Sequence, residues 1–538
     1  MSKTECPMFL FRLALAASLW PLFANGVVAA DLQRARGIVF HDMNGNGRYE
    51  PMEPPVPGVG VSNGREIVNT NADGRYELAV DDDDIVFVIK PSGWRTPLNA
   101  HKLPQFYYIH KPAGSPSLKF PGVAPTGPLP ASINFPLYPQ REPNQFRAIL
   151  FGDPQPRDQK EVDYIAHDVV EELVGSDASF GVTLGDIVFD DLAVFDSLNR
   201  AVALIGIPWY NVIGNHDTNQ DAKSDRDSDE TFERIFGPSY YSFDYGTVHF
   251  IAVDDIDWQP ADGVRRAGYR AGLGSEQMEF IRNDLARIPA EQMVVLMMHI
   301  PLTDAHDRQD LYRLIEKRPF CISISGHTHH HEHRLIKKED GWMGAEPHHH
   351  IINVTVSGSW WSGAPDERGI PHTTMADGAP NGYSIISFDG TKYQLEYKAA
   401  GRDRDYQMQI HAPEAIAQGK SQESVVYANV FNAFEKSTVE MRIGTGDWLP
   451  MQQAREVDPL YAATVAAETT VLSQVPQWRA LPKPKPSTHL WKAQLPADLP
   501  LGTHQIEVRA TDVNGKPVQG QRLFRITATV PAAPTANP

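Results

Sequence analysis

Five short stretches in the middle of the chain end an apolar run with residues that bind metals. They are "LFGDPQ" (Asp153, Gln155), "TLGDIVFD" (Asp186), "VIGNHD" (Asn215, His216, Asp217), "LMMHIP" (His299) and "ISGHTH" (His327, His329). A single Asp or His behind a strand is commonly a cap or turn residue. Five such stretches in succession, each behind an apolar run, point to a metal centre. A donor set mixing imidazole nitrogen with carboxylate and amide oxygen suits Mn, Fe, Zn, Ni or Co better than Mg alone.

The elements that must position these residues are legible around them. Between 144 and 400, apolar strands ("RAILF", "FGVTL", "WYNVI", "VHFIAV", "MVVLMM", "CISIS") alternate with helical stretches. The clearest helix is "SEQMEFIRNDLARI", with Ser275 as its expected N-cap and apolar residues at Met278, Ile281, Leu285 and Ile288. Strand–helix alternation argues for an α/β layered domain with ligands on loops at the strand ends. Cys321 sits in "PFCISISGH" and is expected to be a core thiol.

The order of the five stretches resembles the calcineurin-like metallophosphoesterase superfamily: D-x-H, GD-x-x-D, GNH[DE], an isolated His, and GH-x-H. The resemblance covers roughly residues 146–398, and the flanking regions are similar to those of an exported bacterial branch. It implies a four-layer αββα core and a hydrolase of phosphoric esters. Two metals about 3.5–4 Å apart would acidify a bridging water and clamp the phosphate oxygens. By resemblance Asp186 bridges the ions, Asp153, Gln155 and His329 complete the first site, and Asn215, His299 and His327 complete the second. His216 would stand beside the metals as an acid or a transition-state stabiliser, with Asp217 either orienting it or serving as a loop carboxylate. The implied reaction is direct attack of a metal-bridging hydroxide on phosphorus, without a covalent enzyme intermediate.

Gln155 departs from the pattern, which places histidine there. A glutamine either offers a carbonyl oxygen as a weaker donor or hydrogen-bonds a metal-bound water. Downstream, "SGSWWSG" and the loop Met375–Tyr383 follow the last ligand stretch. Trp361 and Asp377 are candidates for substrate contact, with packing under a long loop as the alternative. His330, His331 and His333 are expected to be loop residues, and His348-His349-His350 surface residues.

The chain has 538 residues, enough for about three domains. Residues 1–30 join Lys3 and Arg12 to an apolar stretch and the small residues Val28-Ala29-Ala30, the pattern of a secretory signal peptide. Periplasmic or secreted localisation follows as an expectation, with no transmembrane segment in the mature chain. Loss of Lys3, Glu5 and Arg12 takes the net charge from −18 to −19. Such acidity argues against a nucleic-acid polymer as partner.

Residues 31–143 carry short β signals and are expected to form a β-sandwich, with Asp73-Gly74 marking a hairpin. Within them "DMNGNGRYEPME" matches a calcium-loop pattern through Asp42, Asn44, Asn46, Gly47 and Glu53, with Arg48 at the position that would offer its carbonyl. One structural Ca²⁺ or an ion-free Asn/Gly turn both suit this loop. Residues 401–530 are expected to form a second β-sandwich, with Asn514-Gly515 as a hairpin turn and 531–538 as a disordered tail.

The resulting expectation is an exported dinuclear-metal phosphoesterase acting on small-molecule or envelope phosphate monoesters. A phosphodiesterase on nucleotide or lipid substrates is the alternative. A rival of another class is a non-catalytic, metal-stabilised envelope binding protein. Nothing in the sequence speaks to oligomeric state.

Overall fold

The computed structural model describes residues 33–472 and 478–529. The expected leader (1–30) and the expected tail (531–538) lie outside the described residues. Among those described, no helix is long and apolar enough to cross a membrane.

The middle region holds two sheets. One has five strands in the order Trp209–Val212, Phe180–Leu184, Gln145–Phe151, Gly382–Asp389 and Lys392–Ala399. Its first three strands run parallel and the last two antiparallel. The other has six strands in the order Tyr241–Tyr245, Val248–Ala252, Met293–Met297, Cys321–Ser325, His348–Ile352 and Glu332–Ile336. Its four inner strands are parallel, with one antiparallel strand at each edge. Parallel neighbours need a crossover. The helices Phe195–Val202, Gly274–Leu285 and Arg308–Ile315 supply three of them.

The apolar runs are continuous because these strands are buried on both faces. Phe146, Ala148 and Leu150 share a hydrophobic cluster with Phe250, Val295 and Ile324 of the six-stranded sheet. The alternate residues Ile149 and Phe151 join Val162, Ile165 and Leu198 from the helices. Period-two alternation therefore sends one strand's side chains into two cores. Cys321 opens its strand half-buried and packs against the first cluster.

Three local expectations are corrected. The helix Gly274–Leu285 is not capped by Ser275, which lies exposed inside it. The Asp307 carboxylate accepts the N–H groups of Leu273 and Gly274, 2.9 Å each, and so caps the helix from a distant loop. Asp73-Gly74 makes its turn, with Gly74 at φ +69°. Yet the strands on either side, Ile67–Asn69 and Arg75–Val80, enter different sheets, so no hairpin forms. The C-terminal region contains a helix, Pro459–Leu472, where only strands were expected. Asp458 accepts the N–H groups of Leu460 and Tyr461 at 2.8 and 2.9 Å, and Pro459 tolerates the first turn.

The N-terminal region forms two four-stranded sheets around one cluster that includes Val39, Val61, Leu78, Val88 and Leu137. The C-terminal region pairs a four-stranded with a five-stranded sheet around Val426, Met441, Val508 and Phe524. Asn514-Gly515 closes the hairpin of Gly502–Thr511 with Pro517–Thr527.

One buried ion pair ties a strand to a helix in the core. His249 is fully buried, with Nδ1 2.8 Å from Asp244 Oδ1 and Nε2 2.8 Å from Asp284 Oδ2. Arg287 lies 3.4 Å from Asp284, and Gln292 donates to Asp244. Burial alone would lower the imidazole pKa, but Asp284 and Asp244 outweigh it and raise it to about 9. A raised histidine stabilises the fold fully below its unfolded value of about 6.5 and loses that contribution as pH rises through about 9. His249→Gln is therefore expected to cost about 3 kcal/mol at pH 6 by denaturant titration. The deficit should shrink as pH passes about 9. A deficit independent of pH would contradict the charged pair.

Candidate metal centre

Each candidate ligand follows the C-terminal end of a buried strand. Asp153 and Gln155 follow Gln145–Phe151, Asp186 follows Phe180–Leu184, and Asn215 follows Trp209–Val212. His299 follows Met293–Met297, while His327 and His329 follow Cys321–Ser325. The chain turns sharply there. Asp153, Gln155, Asp186, His327 and His329 adopt φ of +42°, +47°, +48°, +73° and +54°. Non-glycine residues seldom occupy this region, and clusters of them mark functional sites. Two glycines permit close approach. A Cβ on Gly185 would meet His299 Nδ1 at 2.3 Å, and one on Gly214 would meet the Asp186 backbone nitrogen at 2.0 Å.

The side chains converge. Donor atoms of Asp186, His299 and His327 all lie within 4.8 Å of one another. His299 Nε2 stands 3.2 Å from Asp186 Oδ1, 3.1 Å from Asn215 Oδ1 and 3.1 Å from His327 Nδ1. Its Nδ1 is engaged by the Leu184 carbonyl at 2.9 Å, which orients Nε2 to the centre. His329 Nδ1 meets the Gly358 carbonyl at 2.6 Å, leaving Nε2 toward Asp153 Oδ1 at 3.7 Å. Both Asp153 oxygens accept the His327 N–H at 3.0 Å.

Gln155 is fully buried. Its Nε2 donates to Asp186 Oδ2 at 2.9 Å, while its Oε1 has no partner. A buried carbonyl oxygen left unpaired is costly, and a cation would satisfy it. The three imidazoles, two carboxylates and two amides brought together here fit transition-metal ions.

Burial and mutual charge divide the ligands into two kinds. Burial pulls His327 down to about 4 and His329 to about 3, so both are neutral and carry lone pairs at pH 7. Burial pushes Asp153 up to about 7 against the pull of His299. Burial works the same way on Asp186, but His299 and His216 outweigh it and hold that carboxylate below its ordinary range. For His299, burial is outweighed by Asp186, and the imidazole rises to about 10.

His216 lines the rim, partly exposed. Its Nδ1 lies 2.6 Å from Asp190 Oδ1, and its ring stacks on Phe189 with centroids 4.4 Å apart. Asp190, not Asp217, orients it. Asp217 is fully buried, and its carboxylate accepts the N–H groups of Gly214, Ile187 and Val188 at 2.8, 3.1 and 3.0 Å. It thus pins two ligand loops together. Asp190 escaped the sequence reading although it ends "TLGDIVFD"; its signal was the second Asp of GD-x-x-D, here displaced by one residue.

Other placements differ from expectation. Trp361 is buried and donates through Nε1 to the Pro154 carbonyl at 3.2 Å. Asp377 is buried too, accepting N–H groups of His331 and Ala379 and meeting His489 Nε2 at 3.0 Å. Both hold loops in place, the packing alternative for these two residues. Trp360, half-buried, stacks on His329 with centroids 4.0 Å apart. Arg157 follows the first ligand loop. It lies over the Phe189 ring at 4.2 Å and donates to the Trp360 carbonyl at 3.1 Å, joining the two sides of the rim.

The histidines expected in loops or at the surface are mostly inside. His331, His333, His348 and His350 are buried, and His333 belongs to the edge strand Glu332–Ile336. The strand His348–Ile352 lies inside its sheet, with His350 bonded to Ser323 and Ser325.

In the N-terminal loop, Asp42 and Glu53 are buried and turned to the backbone. Asp42 accepts from Gly45, Asn46 and Gly47 N–H and from the Tyr138 hydroxyl. Glu53 accepts from Met43 and Glu50 N–H. Asn44 and Asn46 accept from Asn46 and Arg48 N–H, and Arg48 is exposed. These side-chain oxygens close the turn through backbone N–H groups.

Fold and site together define a metal-dependent hydrolase of phosphoric esters. Three family models match in succession: the N terminal of calcineurin-like phosphoesterase over residues 43–121, calcineurin-like phosphoesterase over 146–331, and the C terminal of calcineurin-like phosphoesterase over 350–517. The chain belongs to the calcineurin-like phosphoesterases. No curated protein matches it. Among solved structures, a purple acid phosphatase from yellow lupin seeds (Lupinus luteus) is 15% identical, covering 64% of this chain and 67% of that one at a TM-score of 0.35. CopC from Methylosinus trichosporium OB3b is 13% identical, covering 22% of this chain and 88% of that one at a TM-score of 0.13. At these scores neither likeness informs fold or activity.

Two substitutions test the geometry. Asp190→Asn should lower kcat roughly 10- to 100-fold, as loss of orientation at an acid group does, with metal content unchanged. Unchanged kcat would contradict its role toward His216. Gln155→His should preserve or raise metal occupancy by elemental analysis. Loss of binding would show that Gln155 does not face an ion.

Proposed function

We propose that the chain is an exported phosphomonoesterase with two transition-metal ions in a four-layer αββα core between two β-sandwich domains. The observation that supports this most is the meeting of Asp186, His299 and His327 beside the unpaired Gln155 carbonyl. Asp153, Gln155 and His329 would hold one ion, Asn215, His299 and His327 the other, and Asp186 both. Such ions supply an acidified water and neutralise phosphoryl charge.

The chain's own residues do the rest. With Nδ1 engaged by Asp190, His216 has Nε2 left to meet the leaving-group oxygen and give it a proton. Phe189 braces the imidazole from one face. Arg157 is held by Glu161 and the Trp360 carbonyl at the same rim, where a guanidinium would meet the second charge of a monoester dianion. That charge distinguishes monoester from diester and favours the monoester reading. The basic, apolar and small-residue pattern of residues 1–30 supports export.

The test is turnover of p-nitrophenyl phosphate and its bis-ester in Mn²⁺. Faster monoester hydrolysis is expected, with Arg157→Ala raising KM for the monoester about tenfold and leaving the bis-ester nearly unaffected. His216→Ala should lower kcat by roughly 10²–10⁴-fold with metals retained. A preference for the bis-ester would replace this reading with a diesterase. Absence of turnover with metals bound would replace it with a binding protein.

A further inference from the structure

Outside the catalytic cleft, three buried donor atoms meet where the core adjoins the C-terminal sheets. His331 Nε2 and His333 Nε2 are 3.2 Å apart. Asn432 Oδ1 lies 3.2 Å from the first and 2.9 Å from the second. All three residues are buried. His331 and His333 are two apart in an extended segment, so they share a face. Ligand atoms on one tetrahedral ion with bonds of about 2.0–2.1 Å stand roughly 3.3–3.5 Å apart, close to this triangle.

Hydrogen bonding can fill the triangle in one way only, with both imidazoles donating. The amide oxygen only accepts. In that arrangement the two Nε2–H groups share the two lone pairs of Oδ1. If either nitrogen is bare, a lone pair faces the oxygen's lone pairs. Turning the amide over would relieve this, but Asn432 Nδ2 already donates to the Leu395 carbonyl at 2.8 Å. The reversed amide would press two oxygens together there. Hence Oδ1 is fixed toward the histidines.

The surroundings suit a ligand tautomer. His333 Nδ1 lies 3.0 Å from His349 Nε2, and His349 Nδ1 lies 2.5 Å from the Tyr393 hydroxyl. With Nδ1–H donated along this chain, His333 Nε2 presents a lone pair to the triangle, as second-shell partners of metal-bound histidines arrange. His331 Nδ1 is buried without a partner, while the His331 backbone N–H is held by Asp377 Oδ2 at 3.1 Å. Asn432 Nδ2 also faces Asp512 Oδ2 at 3.5 Å, which favours the same orientation of the amide.

We propose that His331, His333 and Asn432 form a further metal site that takes one divalent transition-metal ion of the zinc class. The ion would join the core's edge strand to the C-terminal region and act structurally. This inference stands apart from the reading of the catalytic centre. It would hold even if that centre proved non-catalytic.

Zinc is the probe. Full-length wild type and His333→Phe, each loaded with Zn²⁺ and freed of excess by gel filtration, should differ by one Zn per chain. Zn²⁺ should raise the Tm of wild type more than that of the variant. Equal zinc content would overturn the site. Should His333→Phe fail to fold, anomalous diffraction at the zinc edge from wild-type crystals decides. A peak among the three donor atoms is expected, and its absence from zinc-loaded crystals would refute the proposal.

Discussion

Three loops need the carboxylate of Asp186. Its Oδ1 accepts the His216 backbone N–H at 2.9 Å and stands 3.2 Å from His299 Nε2. Its Oδ2 accepts Gln155 Nε2 at 2.9 Å. One buried anion thus registers the ends of strands from both central sheets. Much of the local backbone follows from that demand. Asp186 must leave its strand in the left-handed region, and Gly185 before it must be bare so that His299 can pass. Such backbone strain costs of order 1–3 kcal/mol per residue and persists only where the surroundings over-determine it. The two hydrophobic clusters on either face of Gln145–Phe151 and Phe180–Leu184 provide that rigidity.

Around the anion the protein sorts its groups by burial. His327 and His329 are desolvated enough to stay neutral and offer lone pairs. His216 stands nearer solvent, and Asp190 and Asp186 together overcome its desolvation and favour its charged form. A deep layer of donors and an outer layer of acid and arginine result. Phe189 connects the outer residues, with His216 stacked on it and Arg157 over it.

Much of the core was legible in the sequence because parallel strands buried on both faces leave continuous apolar runs, and ligands sit directly behind them. "MVVLMM" and "CISIS" are strands, with His299 and His327 where the runs stop. Partners set by tertiary approach were not legible. Asp190 and Asp217 are both acids near His216, and only the fold shows that Asp217 is spent on backbone N–H groups. Trp360 and Trp361 are adjacent, and a left-handed φ at both decides which ring meets His329. His348 and His350 looked polar enough for the surface, yet Ser323 and Ser325 on the neighbouring strand satisfy them inside. The helix Pro459–Leu472 was hidden by strand signals on both sides of it.

Whether one carboxylate serves two ions is measurable by electron paramagnetic resonance on the Mn²⁺-loaded protein. An exchange-coupled manganese pair is expected in the wild type, with the coupling lost in Asp186→Asn. Only isolated manganese signals at full loading of the wild type would contradict a centre built around Asp186.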